Sequence, residues 1–180
     1  MQTGNKEGTM RPLFLVLSYV IEFTVCGFCG WLYEEALEFA VFREFSDRGV
    51  LHLPVLPIYG FGGLLLVWLF RKRNHPAFVF AVSTVVTTVL ELAASYPLEK
   101  ALGYLPWWYG EWPLNFEGRI SLLSSLLFGV LALLLVNLVH PACRKFAAWA
   151  KPAVVGILGT LLLAVIAVDA VTVFILPKIG

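Results

Sequence analysis

Apolar residues run along this chain in unbroken blocks. They show neither the three-four spacing of a surface helix nor the alternation of a half-buried strand. The blocks cover about Pro12 to Phe42, Ile58 to Phe70, Ala77 to Leu98, Ile120 to Val139 and Val154 to Leu176. A helix rises 1.5 Å per residue, so about 20 apolar residues cross the ~30 Å hydrocarbon core of a bilayer. The pattern therefore predicts an all-α integral membrane protein: a bundle of about five transmembrane helices in a single transmembrane domain over residues 1–180. The first block is long enough to protrude or tilt, and the second is short. The fourth ends at His140–Pro141 and the fifth before Pro177, because proline cannot continue a helix hydrogen-bond ladder. The chain shows no internal repeat, low-complexity segment or separate soluble domain. Lys6 and Arg11 before the first block imitate the start of a signal peptide. That block is too long for one and has no small-residue cleavage site, so it reads as a retained helix.

Composition excludes the soluble classes. The chain is 59% hydrophobic and 14% charged, with a mean hydropathy of +0.83, far from a soluble domain. A net charge of +1, without a basic tract interleaved with aromatics, gives no reason to expect nucleic acid. Positive residues set the orientation. With the N-terminus cytoplasmic, Lys6, Arg11, Arg71, Lys72, Arg73, Arg144, Lys145 and Lys151 are inside, and Arg43, Arg48, Lys100, Arg119 and Lys178 outside. That bias places the C-terminus outside. The connection "PACRKFAAWAKP" is short, basic and amphipathic, suited to lying on an anionic inner leaflet. Cys26 and Cys29 lie one helical turn apart and read as small packing residues. His52, His75 and His140 lack metal-ligand spacing and read as solvated or capping groups. No metal site and no cofactor motif is expected.

The candidate chemistry gathers toward the outer ends of the helices. Glu91, Ser95 and Glu99 follow one another at i+4, so they share a face, and Thr84, Thr87 and Thr88 continue it. Tyr33, Glu34, Glu35 and Glu38 reach the same level on the first helix, and Asp169, with Thr172, on the last. An outer loop adds Asp47, Arg48, His52 and "PVLPIYGFGG", where Pro54 and Pro57 break the helix and Gly60, Gly62 and Gly63 permit close approach. Acids inside a bilayer are costly and find partners or water. Arg119, expected in the first turn of the fourth helix, opposes the macrodipole there and needs a carboxylate, with Glu91 or Glu34 as the first choice. The loop "WWYGEWPLNFEGR", residues 107–119, then acts as a lid. Its tryptophans lie in the interfacial belt, and Asn115 and Arg119 reach inward. Glu22, near the middle of the first helix, has no base expected at its depth. It is either protonated, bonded to threonines of the third helix, or part of a proton or ion relay. Two readings of the whole set stand: a polar pocket lined by Glu34, Arg48, Tyr59, Glu91, Ser95, Glu99, Asn115, Arg119 and Asp169, or an ion-pair network that fixes the helices.

"GWLYEEAL", "RGVLHLPVLPIYGFGGLLL", "ELAASYPLEK" and "WWYGEWPLNFEGRISLLSSLLFGVLALLLV", followed by His140–Pro141, resemble in order the motifs of a bacterial membrane family, the type IV ABC-transporter permeases. The resemblance covers most of Gly30 to Pro141, and P-I-Y-G-F-G and P-L-N-x-x-G-R carry it best. Its motif positions here are Gly30, Trp31, Tyr33, Glu34, Arg48, Gly49, Pro57, Tyr59, Gly60, Glu91, Ser95, Tyr96, Glu99, Asn115, Gly118 and Arg119, with Asp169 fitting the acid of the family's last helix. It implies a multipass protein of the bacterial plasma membrane. The chain holds no G-x-x-x-x-G-K-[ST], so any ATP hydrolysis belongs to a separate ATPase subunit. A transporter-like subunit with an outward-facing pocket is the leading expectation, with the lipid bilayer, an ATPase and further copies of the chain as partners. An acid-rich pocket suits a cationic or polyhydroxylated ligand. The alternatives are an intramembrane enzyme acting on a lipid-linked or envelope substrate, with Glu91 or Asp169 as general base, and a non-catalytic scaffold. No nucleophile motif assigns a catalytic residue.

Overall fold

Proline or serine opens the helices that follow the first. A computed structural model describes the backbone of residues 4–43, 45, 49–72 and 75–175, and their side chains from Pro12 onward except 41 and 42. Helix α1 spans Gly4–Phe42, α2 Pro57–Leu69 and α3 Pro76–Leu102. A minimal hairpin follows, β1 (Asn115–Phe116) paired antiparallel with β2 (Ile120–Ser121). Helix α4 (Leu122–Leu134) runs through a π-helical turn (Leu135–Val139) into α5 (His140–Trp149), and α6 spans Pro152–Phe174. Pro57, Pro76 and Pro152 occupy first turns, where a missing N–H costs nothing. His75 caps α3 by accepting the Ala77 N–H at 3.3 Å. Ser121 and Ser124 cap α4 reciprocally, each hydroxyl accepting the other's backbone N–H at 3.0 and 3.1 Å, a capping box built from two serines.

Among the described residues, four helical stretches are long and apolar enough to cross a membrane: Pro12–Ala40, Pro76–Leu102, Leu122–Trp149 and Pro152–Phe174. Helix α2 has 13 residues, a length of ~20 Å. Large apolar side chains such as Val85, Ile157 and Val168 are exposed around the bundle, as on a surface solvated by lipid. The chain is an all-α membrane protein. The fourth helix differs from its expected end at His140–Pro141. The structure continues it to Trp149, so the basic segment expected as a loop is helical. The π turn explains how Pro141 is accommodated. His140 N–H bonds to the Leu135 carbonyl, five residues back, and the wider turn relaxes the ring's collision with the preceding turn. Leu176, the expected end of the last helix, lies outside the described residues.

Packing sets the helix directions. Gly30 lies against Tyr59 and Gly63 against Cys26, so α1 and α2 are antiparallel. Gly129 meets Thr84 and Thr88 donates to Ser125 at 2.7 Å, so α3 and α4 are antiparallel. Gly159 packs on Leu17, and Asp169 bonds to the loop at Leu53 beside the Leu56–Gly27 backbone bond, so α6 runs parallel to α1. Cys26, Leu66, Val67, Phe70, Val79, Ala132 and Leu135 form the apolar core where α1 to α4 meet.

Candidate functional site

Among the described residues, the candidate acids fall into separate groups with different partners. In the first group, α1 and α2 place Tyr59 so that its hydroxyl donates to Glu34 Oε1 at 2.5 Å. Facing them, Tyr109 of the loop after α3 donates to Glu91 Oε1 at 2.9 Å. Tyr33 packs near Tyr59, ring centroids 6.3 Å apart. Phe128 of α4 meets the Tyr59 ring edge-on at 5.7 Å. Burial first, and then the Glu91 and Glu34 charges, push the Tyr109 phenol well above its ordinary range, so it stays a donor. Glu91 is 4% exposed, and its Oε2 has no hydrogen-bond partner among the described residues. A buried carboxyl oxygen left so is a hydrogen-bonding group short of a partner.

The second group is the loop anchor. Arg119 donates through Nη2 to Glu99 and through Nη1 to Ser95 Oγ at 3.2 Å. Its guanidinium lies 4.3 Å from the Tyr96 ring centroid, and Glu117 Oε2 is 3.4 Å from Nε. The hydrogen bond to Glu99 raises its basicity. The expected partners, Glu91 and Glu34, are corrected to Glu99 and Glu117. Helix α4 begins only at Leu122, so Arg119 sits in the hairpin turn before the Ser121 cap and opposes no helix dipole. From there it meets the upper end of the Glu91–Ser95–Glu99 face. Asn115 turns its amide into its own loop, donating to the Gly110 and Trp112 carbonyls at 3.0 and 2.9 Å and accepting Gly118 N–H. Trp107 donates to the Arg119 carbonyl at 2.9 Å, and Trp108 covers Gly118. Gly118 has φ +65, the left-handed region that glycine tolerates best.

Asp169 belongs to a third group. Its Oδ1 lies 2.7 Å from His52 Nδ1, and Leu53 N–H donates to Oδ2 at 3.0 Å. His52, read as solvated or capping, is exposed but bonded. Arg48 lies outside the described residues, as do Asp47, Arg73 and Lys178.

Glu22 and His140 were separated by the sequence reading and are joined by the structure. Glu22 is 1% exposed, and its Oε1 lies 2.6 Å from His140 Nδ1. The threonines proposed as its partners bond instead to their own helix and to Ser125. A buried acid without a visible base is the signal that could have exposed the pair, since such an acid demands a partner. It was masked by ending the fourth helix at His140. Tyr109 was hidden differently, by three neighbouring tryptophans that accounted for the loop as an interfacial belt.

Residues 21–174 match the family described as Putative ABC-transporter type IV. No curated protein and no solved structure matches the chain.

Proposed function

Because the chain belongs to the type IV ABC-transporter family, we propose that it is a transporter-like subunit of the bacterial plasma membrane with a polar pocket opening outward. The observation that carries this reading is Glu91. Its Oε2 is buried and has no partner among the described residues, beneath a loop that reaches the carboxyl group through Tyr109 and is tied to α3 through Arg119. A ligand bearing N–H or O–H donors, an organic ammonium or a polyol, supplies what that oxygen lacks. Glu34, Tyr59 and Tyr109 orient it, and Arg119 with Glu99 holds the cover in place. Asp169, with its own partners, serves the loop before α2 rather than this pocket.

The reading also takes the N-terminus as cytoplasmic, α2 with its preceding loop as a fifth crossing, and ATP hydrolysis as the work of a separate subunit. A tagged chain purified in mild detergent should bring down a subunit carrying a nucleotide-binding motif. Recovery of the lone chain from membranes that contain such a subunit sinks the subunit reading. Glu91→Gln, close in size and still an acceptor for Tyr109, should keep the partner and lose stabilisation by organic ammonium ions or polyols. Stabilisation of wild type and variant alike removes Glu91 from the pocket.

A further inference from the structure

Polar and apolar groups at the C-terminal end of α6 are ordered as they are in a lipid. Nearest the helix end, Thr172 donates to the Asp169 carbonyl at 2.7 Å. Asp169 spends both carboxylate oxygens on the loop, Oδ1 on His52 Nδ1 at 2.7 Å and Oδ2 on Leu53 N–H at 3.0 Å. Toward the helix middle the wall is apolar: Ala164, Val165 and Val168. Together these residues line an open groove of about 400 Å³. The Asp169 side chain is 10% exposed and that of His52 74%. The carboxylate is thus packed away while the imidazole it holds stands at the surface. With Nδ1 engaged, Nε2 is the ring nitrogen left for a further partner on a side chain that lines the groove, and the carboxylate holds the ring.

A purely apolar groove would accept any acyl chain. A carboxylate set into that wall is costly, and here it positions one hydrogen-bonding nitrogen where the apolar wall ends. We infer that the groove binds one membrane glycerophospholipid, its acyl chain along Ala164, Val165 and Val168 and its phosphate accepting from His52 Nε2–H. In the complex the ring bridges Asp169 at Nδ1 and the phosphate at Nε2. This site stands apart from Glu91 and does not depend on an ATPase partner.

Native mass spectrometry of the full chain, delipidated in detergent, tests it with two probes: phosphatidylglycerol, and diacylglycerol with the same acyl chains. Wild type should hold phosphatidylglycerol at least ten-fold more tightly. His52→Ala should bring phosphatidylglycerol down to the diacylglycerol level. Val165→Trp, at a lipid-facing position that leaves the core intact, should weaken both at least ten-fold. Val168→Trp fills the same groove from a second position and takes its place if Val165→Trp lowers folded yield. Equal retention of the two probes by wild type shows bulk solvation by lipid and overturns the proposal. So does phosphatidylglycerol retention that survives either His52→Ala or the tryptophan substitution.

Discussion

Arg119 shows at the residue scale why the loop after α3 is polar. Its side chain is 13% exposed and engages Glu99, Ser95, Glu117 and the Tyr96 ring together. A planar guanidinium can do this, and a lysine ammonium cannot. Arg119→Ala should lower the thermal midpoint in detergent, Arg119→Lys should restore it only in part, and adding Glu99→Gln to Arg119→Ala should cost little more. Full additivity in that cycle would show the contact to be energetically idle. The Glu22–His140 pair makes a second case, in a drier setting. His140→Ala leaves a buried carboxylate short of a partner and should cost about 1–3 kcal/mol. Replacing both residues by leucine should cost less than the two single changes summed, because no uncompensated charge remains. Denaturation midpoints of Glu22→Leu, His140→Leu and the double variant check it, and a double mutant as poor as the sum refutes the pairing. The sequence shows the acids plainly at this scale, and their i+4 spacing assigns Glu91, Ser95 and Glu99 to one face. It does not show which base each acid meets, because that depends on the level at which each helix lies beside its neighbour. Arg119 met Glu99 rather than Glu91, since the hairpin adds length between the arginine and the helix start.

At the scale of elements, the α1–α2 contact depends on glycines in both helices. A Cβ on Gly30 would overlap the Tyr59 ring, and one on Gly60 would lie 2.5 Å from Phe23. Gly62 is different: its Cβ would meet Leu90 at 3.4 Å, an ordinary contact. Gly30→Ala and Gly60→Ala should therefore each cost about 1–3 kcal/mol by overpacking, with Gly62→Ala close to neutral, in denaturant or thermal unfolding in detergent. Gly30→Ala should also disturb the Tyr59–Glu34 hydrogen bond, and Tyr59→Leu should relieve part of its cost. Similar small effects at all three positions would mean that the helices can part without penalty. Pro57 and the apolar run behind it made α2 readable from sequence, and Gly60 proved to sit under an aromatic ring in ordinary helical backbone. The continuation of α4 was not readable. Pro141 disfavours continuation by local rules, and here the helix passes it through the π turn that precedes it. That turn is a packing outcome: it leaves Leu135 in the core and carries His140 round to Glu22.

At the scale of the whole molecule, helix direction bears on how many times the chain crosses the bilayer. Helix α2 is too short to cross alone, at ~20 Å against ~30 Å. Yet α1 and α3 both run antiparallel to elements that themselves run together. Gly30 and Cys26 meet Tyr59 and Gly63 in reverse order, Glu22 meets His140, and Thr84 and Thr88 meet Gly129 and Ser125 in reverse order. On the five-crossing proposal the chain returns between α1 and α3. The loop before α2 begins that return, reaching Gly27 through the Leu56 N–H bond, and α2 completes it. Broken crossings of this kind are tolerated where the irregular backbone is covered by protein, and here Asp169 caps the loop at Leu53. On this proposal the N-terminus and the end of α6 face opposite sides, and the positive-residue bias puts the N-terminus inside. With Cys26, Cys29 and Cys143 replaced, single cysteines at Asn5 and Lys145 should be shielded from an impermeant thiol reagent in intact cells. Cysteines at Glu111 and Ile175 should label. If the Asn5 and Ile175 positions label alike, α2 does not cross and the chain has an even number of spans. If Lys145 labels and Glu111 does not, the molecule is inverted and the Glu91 pocket opens to the cytoplasm, where its ligand would have to be sought instead.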